Sequence, residues 1–436
     1  MQHRDLSGSV LSGASAAATE NYIAAVEAYH CFAGDAGGLI EAAIADSPAF
    51  TMAHVLKAYL HLVGSNAAAV QVGVEAATTA LSLPANDREQ GHLAGLEKML
   101  SGEYRAAGRI FEDLTIAHPK DALGLQAGQL MDFLTGDSRM LRDRIGRAAP
   151  FWDQGRPDYH AVLGMLAFGL EETGLYDRAE AAGRQAIALQ PRNGWAQHAV
   201  AHVLEMQDRR ADGIVWMRAD IDAWTRESFF AVHNWWHLAL FHLGLGEVDE
   251  VLKLYDGPIW GAKSDMAFDL VDASALLWRL SVRGIDLGNR WNELADVYQA
   301  RADTLGAYAF DDTHAMLSFV GAGRTDAIQA LLETQQAALK GPGDNASFAG
   351  EVGLPVMEGL VAFGAGNYGL AVERLRDVRN RSARFGGSHA QRDLIDLTLI
   401  EAATRNKDHD LRRALIAERA VALPSGQAAS VLGRAA

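Results

Sequence analysis

The chain has 436 residues, of which 49% are hydrophobic, and it carries 39 basic and 55 acidic residues, a formal net charge of −16. Such an acidic surface repels nucleic-acid phosphates and anionic lipid, so we expect neither nucleic acid nor a membrane as a partner. Cys31 is the only cysteine, which excludes a disulfide framework and a cysteine-rich zinc site. The first residues lack the pattern of a signal peptide, and we therefore expect a cytoplasmic protein.

Helical periodicity extends along almost the whole chain. Apolar residues recur at three- and four-residue spacings, and alternating strand-like runs are scarce, so the sequence predicts an all-α protein. A glycine followed by tyrosine two positions later and alanine five positions later occurs at Gly102, Gly174 and Gly366, with weaker copies at Gly246 and Gly323. This pattern is typical of the second half of a tetratricopeptide unit, a helical hairpin of about 34 residues.

The spacing of these turn glycines is irregular. Successive intervals are 72, 72, 77 and 43 residues, and two of them are close to twice the ideal unit. We therefore predict a right-handed superhelix of degenerate tetratricopeptide-like hairpins, a single solenoid over residues 1–436. Residues 339–353, which contain several glycines and a proline, are predicted to form a long loop and are the best candidate for a hinge before the C-terminal hairpins.

Six segments, in order, span nearly the whole chain and resemble the tetratricopeptide repeat protein 38 family: residues 18–62, 164–180, 198–207, 233–243, 311–324 and 386–400. The resemblance implies a closed or strongly curved tetratricopeptide-like superhelix. It implies no particular reaction and no catalytic residues.

The central part of the chain carries histidines at HxxxH spacing. When Asp208 is placed at the turn of one hairpin and Gly246 at the turn of the next, His198, His202 and Glu205 fall on one face of a helix, and His233 and His237 on the matching face of the following repeat. Both histidine pairs are offset by 35 residues. Equivalent helices of adjacent repeats lie about 8–10 Å apart, so we predict that these five side chains meet.

Three interpretations of this cluster stay open. A histidine beside a carboxylate can transfer protons near neutral pH, which makes all five residues candidate catalytic groups. His198, His202, His233 and His237 could instead bind a divalent metal ion such as Zn, Fe or Ni. The histidines could also be partly buried residues that are satisfied by hydrogen bonds between helices.

Further polar and aromatic side chains could line the same concave lumen. Trp236 falls on the groove-facing stripe and could form a wall for an organic ligand. Arg392, near the start of a late helix, could bind a carboxylate or phosphate. The full set of candidate substrate-binding residues is Trp236, His160, Glu171, Asp312, His314, His389 and Arg392.

The sequence has no GxSxG elbow, no Walker loop and no GxGxxG after a strand, which argues against nucleotide-dependent and serine-hydrolase chemistry. Two functional hypotheses remain. The protein binds a small polar molecule in its lumen and acts on it as a hydrolase or lyase; alternatively, it is a non-catalytic tetratricopeptide scaffold that binds a peptide or partner protein in its groove. A homo-oligomer is compatible with either hypothesis.

Overall fold

A computed structural model describes residues 2–63 and 67–422. These residues divide into two compact units. The first contains the chain up to Val200 together with Asp220–Ala231, and the second contains Ala201–Ala219 and the chain from Val232 onward. The division falls inside the helix α11 (Gly194–Met206), which begins in the first unit and ends in the second, and after the first residue of the helix α14 (Ala231–Gly244).

The first unit is built from helices, joined by short connections. They are α1 (Ala16–Cys31), α2 (Ala36–Asp46), α3 (Thr51–His61), α4 (Ala67–Leu81), α5 (Asp87–Leu100), α6 (Tyr104–Ala117), α7 (Ala122–Leu134), α8 (Ser138–Ala148), α9 (Tyr159–Glu171), α10 (Tyr176–Leu189), the start of α11 (Gly194–Met206) and, later in the chain, α13 (Ile221–Thr225). A 3-10 turn at Ala149–Phe151 follows α8. Outside the helices, this unit has two isolated β-bridges, between Arg4 and Val10 and between Ala33 and Ser228.

The second unit has the same construction. Its helices are the end of α11, then α12 (Arg210–Arg218), α14 (Ala231–Gly244), α15 (Val248–Leu254), α16 (Ala267–Val282), α17 (Arg290–Ala300), α18 (Ala309–Gly321), α19 (Thr325–Ala338), α20 (Asn345–Phe348), α21 (Leu354–Gly364), α22 (Tyr368–Val378), α23 (His389–Arg405) and α24 (His409–Ala422). Single π turns follow α15 (Tyr255–Ile259) and α20 (Ala349–Gly353), and 3-10 turns occupy Ala302–Thr304 and Arg379–Phe385.

The predicted turn glycines all lie between the two helices of a hairpin. Gly102, Gly174, Gly246, Gly323 and Gly366 have φ angles between 66° and 80°. This left-handed conformation reverses the chain after a helix and favours glycine, which has no Cβ. The all-α fold and its tetratricopeptide-like hairpins are therefore confirmed.

Three further turns explain the irregular glycine spacing. Gly136, Asp208 and Gly284 also have positive φ angles, of 68°, 57° and 79°. Each divides one of the long intervals into two units of 34–39 residues. Asp208 occupies the turn position predicted from the sequence, and its carboxylate lies 2.5 Å from the Arg210 guanidinium. The repeat is thus continuous from Gly102 to Gly366, with one unit that uses aspartate where the others use glycine.

The loop predicted at residues 339–353 is shorter than expected. Helix resumes at Asn345 and continues through the π turn into α21, so only residues 339–344 remain irregular. Among the described residues, Asn345–Gly364 is the one helical stretch long and apolar enough to cross a membrane, but 56% of it is buried inside the protein, as in a core helix. A hinge at this loop, the single solenoid and its strong curvature or closure stay predictions.

Candidate functional site

Helix α14 is buried on almost every side, which is typical of a helix at the centre of a fold. His233, His237 and Trp236 are at most 2% exposed. His202, from the part of α11 that belongs to the second unit, is also fully buried. Each of the three histidines has one ring nitrogen that lies within 4.8 Å of a ring nitrogen of the other two. The ring centroid of His237 lies 4.5 Å from that of His202 and 4.8 Å from that of His233. The hairpin register therefore does bring these predicted residues together.

The orientation of His233 is set by three neighbours. Its Nδ1 lies 2.9 Å from both carboxylate oxygens of Asp272, on α16. The Trp236 indole stacks on its ring at a centroid distance of 5.3 Å and an interplanar angle of 14°, and Phe268 lies at 4.9 Å. Trp236 is fully buried and packs against His233, and it does not line the cavity described below; a role as a ligand wall stays a prediction.

Burial also sets the charge of the cluster. It lowers the pKa of His202 and of His237 well below the usual value, and the neighbouring His233 adds to the effect at both rings. Both imidazoles are therefore neutral at pH 7. A histidine that titrates far below neutral pH is a weak general base, so this environment does not favour the proton-transfer interpretation.

His198 lies one turn before His202 on α11 but belongs to the first unit. It is 3% exposed. Its ring stacks on Phe168 at a centroid distance of 5.5 Å, and Trp195 and Phe230 lie at 5.0 Å and 5.3 Å. These contacts give His198 a packing role among the aromatic side chains of the first unit.

Of four other predicted site residues, His160, His314 and Asp312 have hydrogen bonds inside their own unit, and Glu171 is a buried carboxyl. In the first unit, Asn193 donates to the ring Nδ1 of His160 at 3.0 Å, burial lowers the pKa of His160 to about 4, and Glu171 is fully buried. In the second unit, the Nδ1–H of His314 donates to the Phe310 carbonyl at 2.8 Å, and Asp312 accepts from the Gly306 backbone and the Gln335 side chain. We see no shared ligand site for these residues within either unit.

A cavity of about 430 Å³ lies entirely within the second unit. The predicted residues Glu205, His389 and Arg392 line it. The Ser388 hydroxyl caps α23 by accepting a hydrogen bond from the Gln391 backbone N–H. The side-chain oxygen of Gln391 accepts in turn from the Ser388 backbone N–H, which completes a capping box. This capped first turn places His389 and Arg392 at the cavity wall.

Basic side chains make up a larger share of the charged residues in the cavity lining than in the chain as a whole. Its basic side chains, apart from His389, are Arg210, Arg279, Arg283, Arg379, Arg392 and Arg419, and its acidic side chains are Glu205, Asp393, Asp396 and Glu418. In the complete sequence acidic residues outnumber basic ones by 55 to 39. The cavity therefore reverses the sign of charge that dominates the protein.

Most of the cavity acids are held by particular arginines. Arg419 contacts both carboxylate oxygens of Asp393, one of them at 2.8 Å. Arg379 lies 3.1 Å from Asp396 and 2.7 Å from Glu418. Burial raises the pKa of Glu205, and Arg210 opposes that rise. These acids are largely compensated within the lining.

Two of the arginines have hydrogen bonds to carbonyl oxygens, and the guanidinium of Arg279 also lies 5.5 Å from the ring centroid of Trp236. Arg279 donates to the carbonyls of Ala390 and Ala275, and Arg283 donates to the carbonyl of Leu243 at 2.7 Å. Neither forms a salt bridge with a carboxylate among the residues that the structure describes. Burial lowers the pKa of Arg283 to about 10, with Arg210 and Arg279 adding to the effect, and burial also lowers the pKa of Arg279. Nearby carboxylates, Asp393 and Glu205 at Arg279 and Glu205 at Arg283, oppose this lowering, but burial outweighs them at both guanidinium groups.

Sequence reasoning missed most of this cavity. Arg279 interrupts the apolar run of α16, and Asp269 and Asp272 lie on the same helix. Charged residues inside an otherwise buried helix are a usable signal, because such residues are almost never buried without a partner. Arg210, Arg283, Arg379 and Arg419 carry no such signal, since they lie near helix ends or on helices with polar faces.

No family model matches the chain, so the resemblance to the tetratricopeptide repeat protein 38 family stays a prediction. Similar solved structures include the Rap protein complexed with competence and sporulation factor, at 11% identity and a TM-score of 0.44, over 75% of this chain and 99% of that chain. Yeast Tom70 matches at 9% identity and a TM-score of 0.41, over 92% and 90%. The TPR domain of P58(IPK) matches at 12% identity and a TM-score of 0.21, over 90% and 99%. At these values the similarities carry no argument about function.

Proposed function

We propose that this protein is a non-catalytic binding protein whose second unit holds an acidic peptide segment of a partner protein in the arginine-lined cavity. The observation that carries the proposal is the pair Arg279 and Arg283, two guanidinium groups at the cavity that are not salt-bridged to a carboxylate of the described chain. A carboxylate from a ligand would add a direct ion pair to the longer-range interaction that Glu205 makes with both arginines.

The energetic reason is the cost of burying a charge without a counter-ion. A guanidinium in a low-dielectric cavity is stabilised by a bidentate carboxylate more than by neutral carbonyls. Hydrogen bonds to charged groups contribute about 1.5–3 kcal/mol each. An anionic ligand that contacts both arginines would therefore gain affinity and would also relieve their mutual repulsion.

A peptide fits this cavity better than a purely polar small molecule. The cavity is also lined by apolar side chains, including those of Met206, Leu240, Leu243, Leu397 and Ile400. A mixed lining of this kind suits a chain segment that carries both carboxylates and apolar side chains. The use of a helical-hairpin surface for peptide binding adds an analogy at the level of the fold alone.

The hydrolase or lyase hypothesis has less support. Its proposed acid–base groups, His202 and His237, are neutral at pH 7 and fully buried, and they do not line the cavity. Glu205 does line the cavity, but it lies among arginines there. The lining thus favours binding over proton transfer.

The test uses fluorescence anisotropy on the full-length protein. The probe is a labelled peptide that contains aspartate, glutamate and leucine and ends in a free carboxylate. The neutral control probe is the same peptide with asparagine and glutamine in place of aspartate and glutamate and with an amidated C-terminus. We expect Arg279→Met and Arg283→Met each to weaken binding of the acidic probe by about tenfold or more, because each removes a charge-assisted contact.

Arg413→Met is the matched control, since Arg413 is 76% exposed and pairs with Asp410 outside the cavity; it should leave the affinity unchanged. Equal binding of the acidic and neutral probes, or equal losses in all three variants, would contradict the proposal. Binding of succinate without binding of the acidic probe would also contradict the peptide proposal, because the cavity would then bind small carboxylates instead.

A further inference from the structure

The histidine cluster of the second unit shares no residue with the lining of the arginine-lined cavity, although Arg279 and Arg392 of that lining act electrostatically on its histidines. His202, His233 and His237 are absent from the cavity lining, and each is at most 2% exposed. Three buried imidazoles that converge on one point need an explanation, because imidazole is among the more polar side chains of a protein interior. Packing alone would be served equally well by aliphatic side chains.

The geometry of the cluster is close to that of a metal site. One ring nitrogen from each histidine lies within 4.8 Å of the others. Nitrogen ligands of a tetrahedral zinc ion, at about 2.0–2.1 Å from the metal, lie about 3.3 Å apart. The rings would have to approach one another by at most about 1.5 Å, which side-chain rotations can provide.

His233 is held as a ligand would be held. Its Nδ1–H donates to the Asp272 carboxylate, 2.9 Å from each oxygen, and this leaves a lone pair on Nε2. Metal-binding histidines almost always donate their second ring nitrogen to a carboxylate or carbonyl, which fixes the ring and increases its basicity. Trp236 and Phe268 pack on the ring of His233 and exclude water from it.

We propose that His202, His233 and His237 bind a divalent transition-metal ion of the zinc class, with Asp272 as the positioning residue for His233. An all-nitrogen ligand set selects such ions over Ca²⁺ and Mg²⁺, which require oxygen. Three protein ligands leave a coordination position for a further group. The metal proposal does not require the proposed peptide binding, because none of the three ligands lines the cavity; the two sites are neighbours, since Arg392 and Arg279 act electrostatically on His202 and His237.

The first experiment measures metal binding by the wild-type protein. Full-length protein without a histidine tag is stripped with a chelator, dialysed and titrated with Zn²⁺ alone. We expect one equivalent to bind and to raise the melting temperature, since an ion that binds only the folded state stabilises it. Co²⁺ in place of Zn²⁺ should give the visible absorption of a tetrahedral nitrogen-ligated site.

The second experiment uses variants. His202→Gln and His237→Gln should each lose the stoichiometric ion, and Asp272→Asn should keep the stoichiometry but bind about 10–100-fold more weakly. His242→Gln is the matched control, because His242 lies on the same helix, is also buried, and contacts Glu247 at 2.5 Å outside the cluster. It should bind Zn²⁺ as the wild type does.

Two results would overturn the proposal. One is the absence of a stoichiometric Zn²⁺ or Co²⁺ site in the folded wild-type protein. The other is unchanged metal binding in folded His202→Gln and His237→Gln proteins. If either variant fails to fold, X-ray absorption of the Zn²⁺-loaded wild type decides instead: three imidazoles in the first coordination sphere support the site, and fewer than three exclude it.

Discussion

Asp312, near the start of α18, illustrates how a single buried carboxyl can organise a loop. Its two oxygens lie 3.0 Å and 3.1 Å from the Gly306 backbone nitrogen, and the second accepts from the Gln335 amide at 2.7 Å. Burial raises the pKa of this carboxyl to about 7, more than these hydrogen bonds lower it. Asp312 therefore ties α18 to α19 and to the preceding loop, and its role in substrate binding stays a prediction.

The pH dependence of this tie can be predicted. In the unfolded chain the pKa of Asp312 is near 3.8, and in the folded protein it is about 7, so the folded state holds the extra proton between these values. Stability is therefore lost as the pH rises from about 4 to about 7, by an amount on the order of 4 kcal/mol. Asp312→Asn removes this loss, and urea unfolding at a series of pH values measures the difference between the two proteins.

Asp326→Asn is the control for this prediction, because Asp326 is an exposed carboxylate at the start of α19. It should reproduce the pH profile of the wild type. The prediction is wrong if Asp312→Asn loses stability between pH 4 and pH 7 as steeply as the wild type does. Asparagine keeps the acceptor for the Gly306 N–H, so a loss of the loop contact would not explain that result.

At the scale of the element, each hairpin depends on the residue that reverses the chain. Gly246, between α14 and α15, has a φ of 80°, and a Cβ added there would meet no atom within 4 Å. The requirement for glycine at this turn is thus conformational and not steric. Asp208 meets the same requirement with a polar side chain that pairs with Arg210.

A pair of alanine substitutions tests this reasoning. Gly246→Ala places a Cβ in the left-handed region and should destabilise the protein by about 1–2 kcal/mol. Gly369→Ala, at an exposed position in the first turn of α22, should instead stabilise it by about 0.5 kcal/mol, because alanine restricts the unfolded chain. Both lie in the second unit, so one urea titration monitored by circular dichroism compares them directly. Effects of the same sign would show that the turn conformation does not determine stability here.

At the scale of the whole molecule, the charge is unevenly distributed. The chain has a net charge of −16, yet the charged lining of the cavity in the second unit is richer in arginine than in acid. A net charge far from zero destabilises the folded state by self-repulsion. The same negative charge repels an acidic ligand, and the arginines of the cavity lining reduce this repulsion at the proposed binding site.

Salt should therefore stabilise the protein. Raising NaCl from about 0.01 M to about 0.15 M shortens the Debye length from about 30 Å to about 8 Å and screens the repulsion between exposed acids. We expect the melting temperature to increase by a few degrees over this range, as measured by scanning calorimetry. A decrease in the melting temperature would contradict the prediction, because it would mean that the stabilisation by surface ion pairs exceeds the destabilisation by the net charge.

Local rules were sufficient for the helices and their turns. A helix buries one stripe at a 3.6-residue period, and a left-handed turn selects glycine, so Gly102, Gly174 and Gly366 could be found from neighbouring residues alone. The same register placed His202 and His237 on equivalent faces 35 residues apart. It could not place Asp272, because the offset between α14 and α16 depends on the intervening π turn and connection.

The sequence by itself therefore determined the all-α hairpins, the turn at Asp208 and the convergence of three histidines. Only the tertiary structure decided that Trp236 is buried against His233 and that Asp312 ties a loop. It also assembled the cavity, in which Arg279 and Arg283 from α16 and its C-terminal end meet Arg392 and Arg419 from α23 and α24. The first two arginines are more than 100 residues from the last two in the chain. Their partners depend on how distant helices pack, which no local pattern encodes.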